Sequence, residues 1–180
     1  SSTLVTMSMA VPAYNNLAWI MLQRGESGTA IDIVTSVLDW ATGRDDAAAQ
    51  IRILAHRAWL YALAFDYTAA IADVDAAIAL ASPEAQAPFI EAELYNLRGQ
   101  MVMLTYEWNV ALVDYNRALE LAPDYAEAYY NRGVLLYTMA QRLEALDDFQ
   151  RYLELSADGD QVQSAREYID NIYAELSALD

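Results

Sequence analysis

The chain has 180 residues, 56% of them hydrophobic, with a formal net charge of −16. Its ten basic side chains are all arginines and are scattered, which argues against a nucleic-acid face or an anionic membrane surface. There is no cysteine, so disulfides and thiolate metal sites are excluded and neither a reducing nor an oxidising compartment is favoured.

The chain opens on Ser1-Ser2 rather than Met, which reads as a processed start with any leader out of view. Residues 1–10 show no period and read as an N-terminal tail. Pro12 suits the first turn of a helix, where its missing N–H costs nothing. A register begun at Val11 places Ala18, Ala30, Val34, Val37 and Leu38 at packing positions, with Gly25 at the turn between two helices. Arg44-Asp45-Asp46 then reads as a linker, with Asp45 or Asp46 as an N-cap.

The same register restarts at Ile51 with Ala58, Ala70, Asp73, Ala77, Ile78 and Leu80. Extra residues follow around Ala85–Glu91, where Pro83 and Pro88 interrupt helix, and Pro88 is expected to start the next one. From Ala92 a 34-residue pattern is written twice, Ala92–Tyr125 over Ala126–Gly159. Tyr95 falls on Tyr129, Arg98 on Arg132, Gly99 on Gly133, Ala111 on Ala145, Asp114 on Asp148 and Tyr115 on Phe149. A fixed period of this kind is the mark of stacked repeats. Asp158-Gly159-Asp160 ends the pattern, and Asp160 is expected to cap a final helix. Val162, Ala165, Ile169, Ile172 and Leu176 give that helix one apolar stripe, opposite Gln163, Arg166, Glu167, Asp170 and Glu175. A last helix of this type closes the open end of a repeat stack.

The expectation is an all-α solenoid of about four helix-turn-helix repeats plus a C-terminal capping helix, with no strand. The repeats are placed at about 11–44, 51–84, 92–125 and 126–159, and the cap at 160–180. Helices are expected near 12–24, 27–41, 47–64, 67–81, 88–105, 108–121, 125–139, 142–155 and 160–178.

These residues resemble the tetratricopeptide repeat. That family sets an aromatic at position 4, Gly or Ala at 8, a large residue at 11, Ala at 20, an aromatic at 24, Ala at 27 and Pro at 32. The third repeat has Tyr95, Gly99, Val102, Ala111, Tyr115, Ala118 and Pro123. The fourth has Tyr129, Gly133, Leu136, Ala145 and Phe149, then departs at Tyr152 and Ala157; the second has Leu54, Ala58, Tyr61, Ala70, Val74 and Ala77. The resemblance implies a right-handed superhelix whose first helices line a concave face through positions 2, 5, 9, 12 and 13.

Carried over by position, that face takes Asn15, Trp19, Leu22 and Gln23 from the first repeat, and Arg52, Ala55, Trp59, Ala62 and Leu63 from the second. Glu93, Asn96, Gln100, Met103 and Leu104 follow from the third, and Glu127, Tyr130, Val134, Tyr137 and Thr138 from the fourth. The binding set implied is Asn15, Trp19, Gln23, Arg52, Trp59, Asn96, Gln100, Met103, Tyr130 and Tyr137. Aromatics of this kind are favoured interface anchors, and amides can hydrogen-bond an extended peptide. The alternative is that the aromatics are covered by the tail, the cap helix or another subunit. The family's best-known mode grips C-terminal carboxylates with Lys, Arg and Asn. This chain has no Lys, and only Arg52 reaches a groove position, beside Glu93 and Glu127, so no such clamp is expected.

No catalytic motif is legible. His56 is the only histidine and has no nucleophile or acid at a recognisable spacing. Asp147-Asp148 and Asp158-Gly159-Asp160 lack the further ligands of a calcium loop. Asp148 repeats Asp114 and Asp73 and reads as part of an exposed helix face. The glycines are isolated and form no phosphate loop, and Tyr14, Tyr61, Tyr95, Tyr115 and Tyr129 fall at packing positions. No cofactor, metal or catalytic residue is expected. The reading is a non-enzymatic scaffold for a neutral to basic protein or peptide segment, bound in the groove, with no nucleic acid and no membrane span. The alternative is a self-association module that forms a homo-oligomer through its aromatic face. The acidic, Arg-only composition looks bacterial, and cytoplasmic and exported locations both stay open.

Overall fold

The computed structural model describes residues 10–81, 88–156 and 158–178, with side-chain environments from Leu17 onward. The expected tail falls outside the described residues but for Ala10, and so do Pro83 and the Ala85–Ala87 part of the extra residues expected around Ala85–Glu91. Chain contacts divide the protein into two units, residues 1–87 and 88–180. The first holds α1 (Ala10–Gln23), α2 (Ser27–Thr42), α3 (Ala47–Leu63) and α4 (Tyr67–Leu80). The second holds α5 (Pro88–Met103), α6 (Trp108–Leu121), α7 (Ala126–Thr138), α8 (Arg142–Leu155) and α9 (Val162–Ser177). The described residues are all-α, a chain of helix hairpins with no strand among them.

Local chemistry explains the punctuation. Asp46 and Asp66 cap α3 and α4, their carboxylates accepting the N–H groups of Ala49 and Ala69 at 2.9 and 3.1 Å. Pro88 opens α5, where no N–H is needed. Asp160 does not cap the last helix. The Tyr152 hydroxyl accepts the Gln161 N–H at 3.2 Å and donates to Gln161 Oε1 at 3.1 Å, so Gln161 becomes the flanking residue and Asp160 stays in the preceding turn.

The turn inside each hairpin uses one geometry four times. Gly25, Phe65, Tyr106 and Ala140 stand at the same place and have φ of 77°, 63°, 65° and 63°. At α1, α3 and α7 the next N–H reaches back five residues, as from Gln141 to the Leu136 carbonyl, which closes the helix end. Only glycine adopts this left-handed backbone without steric cost.

Close packing within a hairpin follows volume. An added Cβ on Gly99 would lie 2.7 Å from Cε1 of Tyr115, and one on Gly133 3.0 Å from Cε1 of Phe149. A ring thus fills the space a side chain would need, bringing the paired helices together. In the first unit the same two positions hold Ala18 with Val34 and Ala58 with Val74, all buried. A methyl on one helix is matched by a smaller side chain on the other.

The repeating aspartates are a correction to the sequence reading. Asp73, Asp114 and Asp148 are buried, not solvent-facing. Each is gripped by an arginine of the preceding helix. Arg57, Arg98 and Arg132 donate through Nε and Nη2 to the two carboxylate oxygens, at distances between 2.6 and 3.0 Å. The planar guanidinium matches both oxygens at once. Arg57 and Arg132 also reach the previous hairpin: Arg57 Nη1 donates to Thr35 Oγ1 at 3.0 Å, and Arg132 Nη1 to Asn116 Oδ1 at 2.7 Å. Within each unit, one side chain therefore ties three helices.

Candidate binding face

In the first unit the register positions named from sequence form a stripe on α3. Arg52, Trp59 and Leu63 recur at helical spacing and are exposed, with Ala55 half-buried and Ala62 buried among them. On α1, Trp19 and Gln23 lie one turn apart and are both exposed, and Leu22 is half-buried. Trp19 and Trp59 hold the same register position and keep 54% and 43% of their surface in solvent. The side chain of Asn15 lies outside the described residues.

The second unit divides its candidates differently. Glu93 and Glu127 are exposed on α5 and α7, and Gln100 is half-buried and donates to Glu127 Oε1 at 3.5 Å. Burial raises the Glu93 carboxyl above its ordinary value, and the charge of Glu127 adds to this. Met103 is half-buried and Leu104 exposed beside it.

Asn96 is not an open peptide-binding amide. It is 2% exposed; its Nδ2 donates to the Tyr125 hydroxyl at 3.2 Å, and its Oδ1 accepts from Asn131 at 3.0 Å. It holds α5 to α7 and to the turn before α7. Burial also drives the Tyr125 hydroxyl far above the ordinary tyrosine range, so it stays protonated in this network.

Tyr130 and Tyr137 are half-buried because α9 packs beside them. Tyr130 lies 5.9 Å from the Phe149 ring and 5.3 Å from that of Tyr152. Tyr137 meets Tyr168 of α9 edge-on at 5.0 Å and donates its hydroxyl to Glu175 Oε1 at 2.9 Å. Arg142 lies 4.1 Å over the Tyr137 ring, pairs with Glu175 and donates to the Tyr137 carbonyl. The hydrogen bonds of Arg142 and Tyr137 hold the Glu175 carboxyl below its ordinary value. In this unit the aromatic positions are thus partly covered by the protein's own last helix.

His56 is half-buried, and burial pushes its imidazole below the ordinary histidine value, so it is neutral at pH 7. Among the described residues no three His, Asp or Glu side chains converge as a metal site requires. Among the same residues no helix is long and apolar enough to cross a membrane.

Hairpins tied by buried Arg–Asp pairs, with a small residue seated against a ring, define an all-α helical-repeat protein. Residues 101–170 match the family model described as Tetratricopeptide repeat. Two solved folds show the likeness. The crystal structure of MamA protein is 19% identical with a TM-score of 0.65, over 93% of this chain and 82% of that one. The first TPR of Spaghetti (RPAP3), bound to the HSP90 peptide SRMEEVD, is 23% identical with a TM-score of 0.60, over 71% and 94%. The first TPR domain of human RPAP3 in solution gives 22% and 0.61, over 72% and 94%. No curated protein matches the chain significantly in sequence.

Proposed function

We infer that the protein is a non-enzymatic scaffold that binds a protein or peptide segment along the inner positions of its first helices. The observation that carries this reading is the pair Trp19 and Trp59, two large aromatics at one register position that are left about half in solvent. An exposed tryptophan gains little for the fold, and truncating one at an interface commonly costs roughly 2 kcal/mol or more. Gln23 on α1 and Arg52 on α3 share these helices and supply polar contacts, and on α5 of the second unit Gln100 and Met103 supply an amide and an adaptable thioether.

Charge decides the kind of segment. The RPAP3 domain is bound to SRMEEVD, a peptide with an acidic end. The groove positions named from this sequence include Glu93 and Glu127, the chain has no lysine, and Arg52 is the only cation of the set. A neutral to basic segment is therefore favoured over an acidic one. A second reading is self-association, favoured by Leu17 and Ile20, which are exposed on α1 beside Trp19. Panning a random peptide library on the wild type, Trp19→Ala and Trp59→Ala tests both. Neutral or basic peptides that lose binding to the variants support the scaffold. Enrichment of acidic peptides, or of none, contradicts it.

A further inference from the structure

Phe65 and Tyr106 stand at the same turn of two hairpins, one in each unit, and share three properties. Each has left-handed backbone, with φ of 63° and 65°. Each is 80% exposed. Each has a second aromatic two residues on: the Phe65 and Tyr67 rings are 6.5 Å apart and edge-on, and the Tyr106 and Trp108 rings are 6.5 Å apart and tilted by 55°.

An acid lies inside each pair. Asp66 accepts the Ala69 N–H at the start of α4, and Glu107 accepts a long bond from Thr105 Oγ1 at 3.4 Å. No arginine adjoins either turn in sequence.

Folding gives no reason for these rings. A bulky residue at positive φ strains the backbone, and Gly25 shows at the equivalent turn what removes the strain. Burial does not offset that cost, because both rings stay in water. Outliers of this kind point to contacts made outside the chain.

We propose that the Phe65–Asp66–Tyr67 and Tyr106–Glu107–Trp108 turns dock the cationic side chains, arginine or lysine, of a basic protein partner. The ring faces attract a cation electrostatically, and the adjoining carboxylate adds to the attraction. A net charge of −16 draws such a partner and repels a second copy of this chain. These turns lie apart in register from Trp19 and Trp59, so the two contact surfaces succeed or fail separately.

The probe is an end-blocked, dye-labelled (Gly-Arg)4 peptide, followed by fluorescence anisotropy, with (Gly-Glu)4 as the comparator. The test protein is the double variant Phe65→Gly/Tyr106→Gly, which leaves the net charge unchanged. Because glycine suits the backbone, its melting temperature should rise by roughly 2–4 °C or more. Its affinity for (Gly-Arg)4 should fall by about fivefold. Equal affinity in wild type and double variant overturns the proposal, since net charge alone then explains the attraction. A lower melting temperature overturns its premise of strain. Wild type that self-associates in light scattering, beside a monomeric double variant, assigns the rings to a second copy instead.

Discussion

Arg132 and Asp148 meet through two parallel hydrogen bonds, Nε to Oδ2 at 2.8 Å and Nη2 to Oδ1 at 2.7 Å, and Asp148 is buried. The two partners pull in opposite senses. The bond to Asp148 raises the Arg132 guanidinium, which favours the pair. Burial raises the Asp148 carboxyl more than Arg132 lowers it, which opposes the pair. The pair therefore specifies how the helices meet more than it adds net stability. Asp148→Leu should destabilise by about 3 kcal/mol, because it strands a largely covered guanidinium. Adding Arg132→Met should recover most of that loss. Urea unfolding of the two variants checks both values.

Volume matching at the helix crossing gives a second outcome. Gly133→Ala places a methyl 3.0 Å from the Phe149 ring and should cost about 1–3 kcal/mol. Pairing it with Phe149→Val reproduces the Ala58 and Val74 arrangement of the first unit and should restore part of the loss. The recovery, read by thermal unfolding, separates a steric cause from a general intolerance at this position.

Backbone strain makes a third. Ala140 has φ of 63° and Gly25 has 77° at equivalent turns. Ala140→Gly should stabilise, and Gly25→Ala destabilise, each by about 1 kcal/mol. Nothing lies within 4 Å of a Cβ built on Gly25, so any loss there comes from the backbone alone.

Alkali supplies a fourth. Tyr115 is fully buried against Gly99, and burial pushes its hydroxyl well above the ordinary tyrosine value. A raised folded value means that this stabilisation is complete below the unfolded tyrosine pKa, about 10, and is lost as pH climbs toward the folded value. Raising the pH past about 10 should give tyrosinate absorbance from exposed tyrosines first. Ionisation of Tyr115 should coincide with loss of helical circular dichroism, and Tyr115→Phe should shift that helix loss to higher pH.

The helices were legible because small residues, proline and capping aspartates punctuate the chain at a fixed period, and their chemistry is local. The ion pairs were not, although Arg98 and Arg132 as well as Asp114 and Asp148 align at that period. Partner positions lie on different helices, so no single helix face displays them, and a repeating acid reads as solvated surface. Phe65 and Tyr106 gave no turn signal, since their left-handed backbone is imposed by the hairpin rather than preferred by the residue. Asn96 was placed by family position, which locates a helix face but not the Tyr125 and Asn131 partners that engage its amide. Tyr130 and Tyr137 followed the same rule, and the packing of α9 could not be read from their own repeat.

The most direct test of the scaffold reading is acrylamide quenching of tryptophan fluorescence across a protein concentration series, in a Trp40→Phe/Trp108→Phe background. Only Trp19 and Trp59 then report. Light scattering on the same samples gives the mass. The account predicts a monomer at every concentration with both tryptophans freely quenched, leaving their face open to a partner. A dimer that forms as concentration rises, with quenching lost in step, would contradict it.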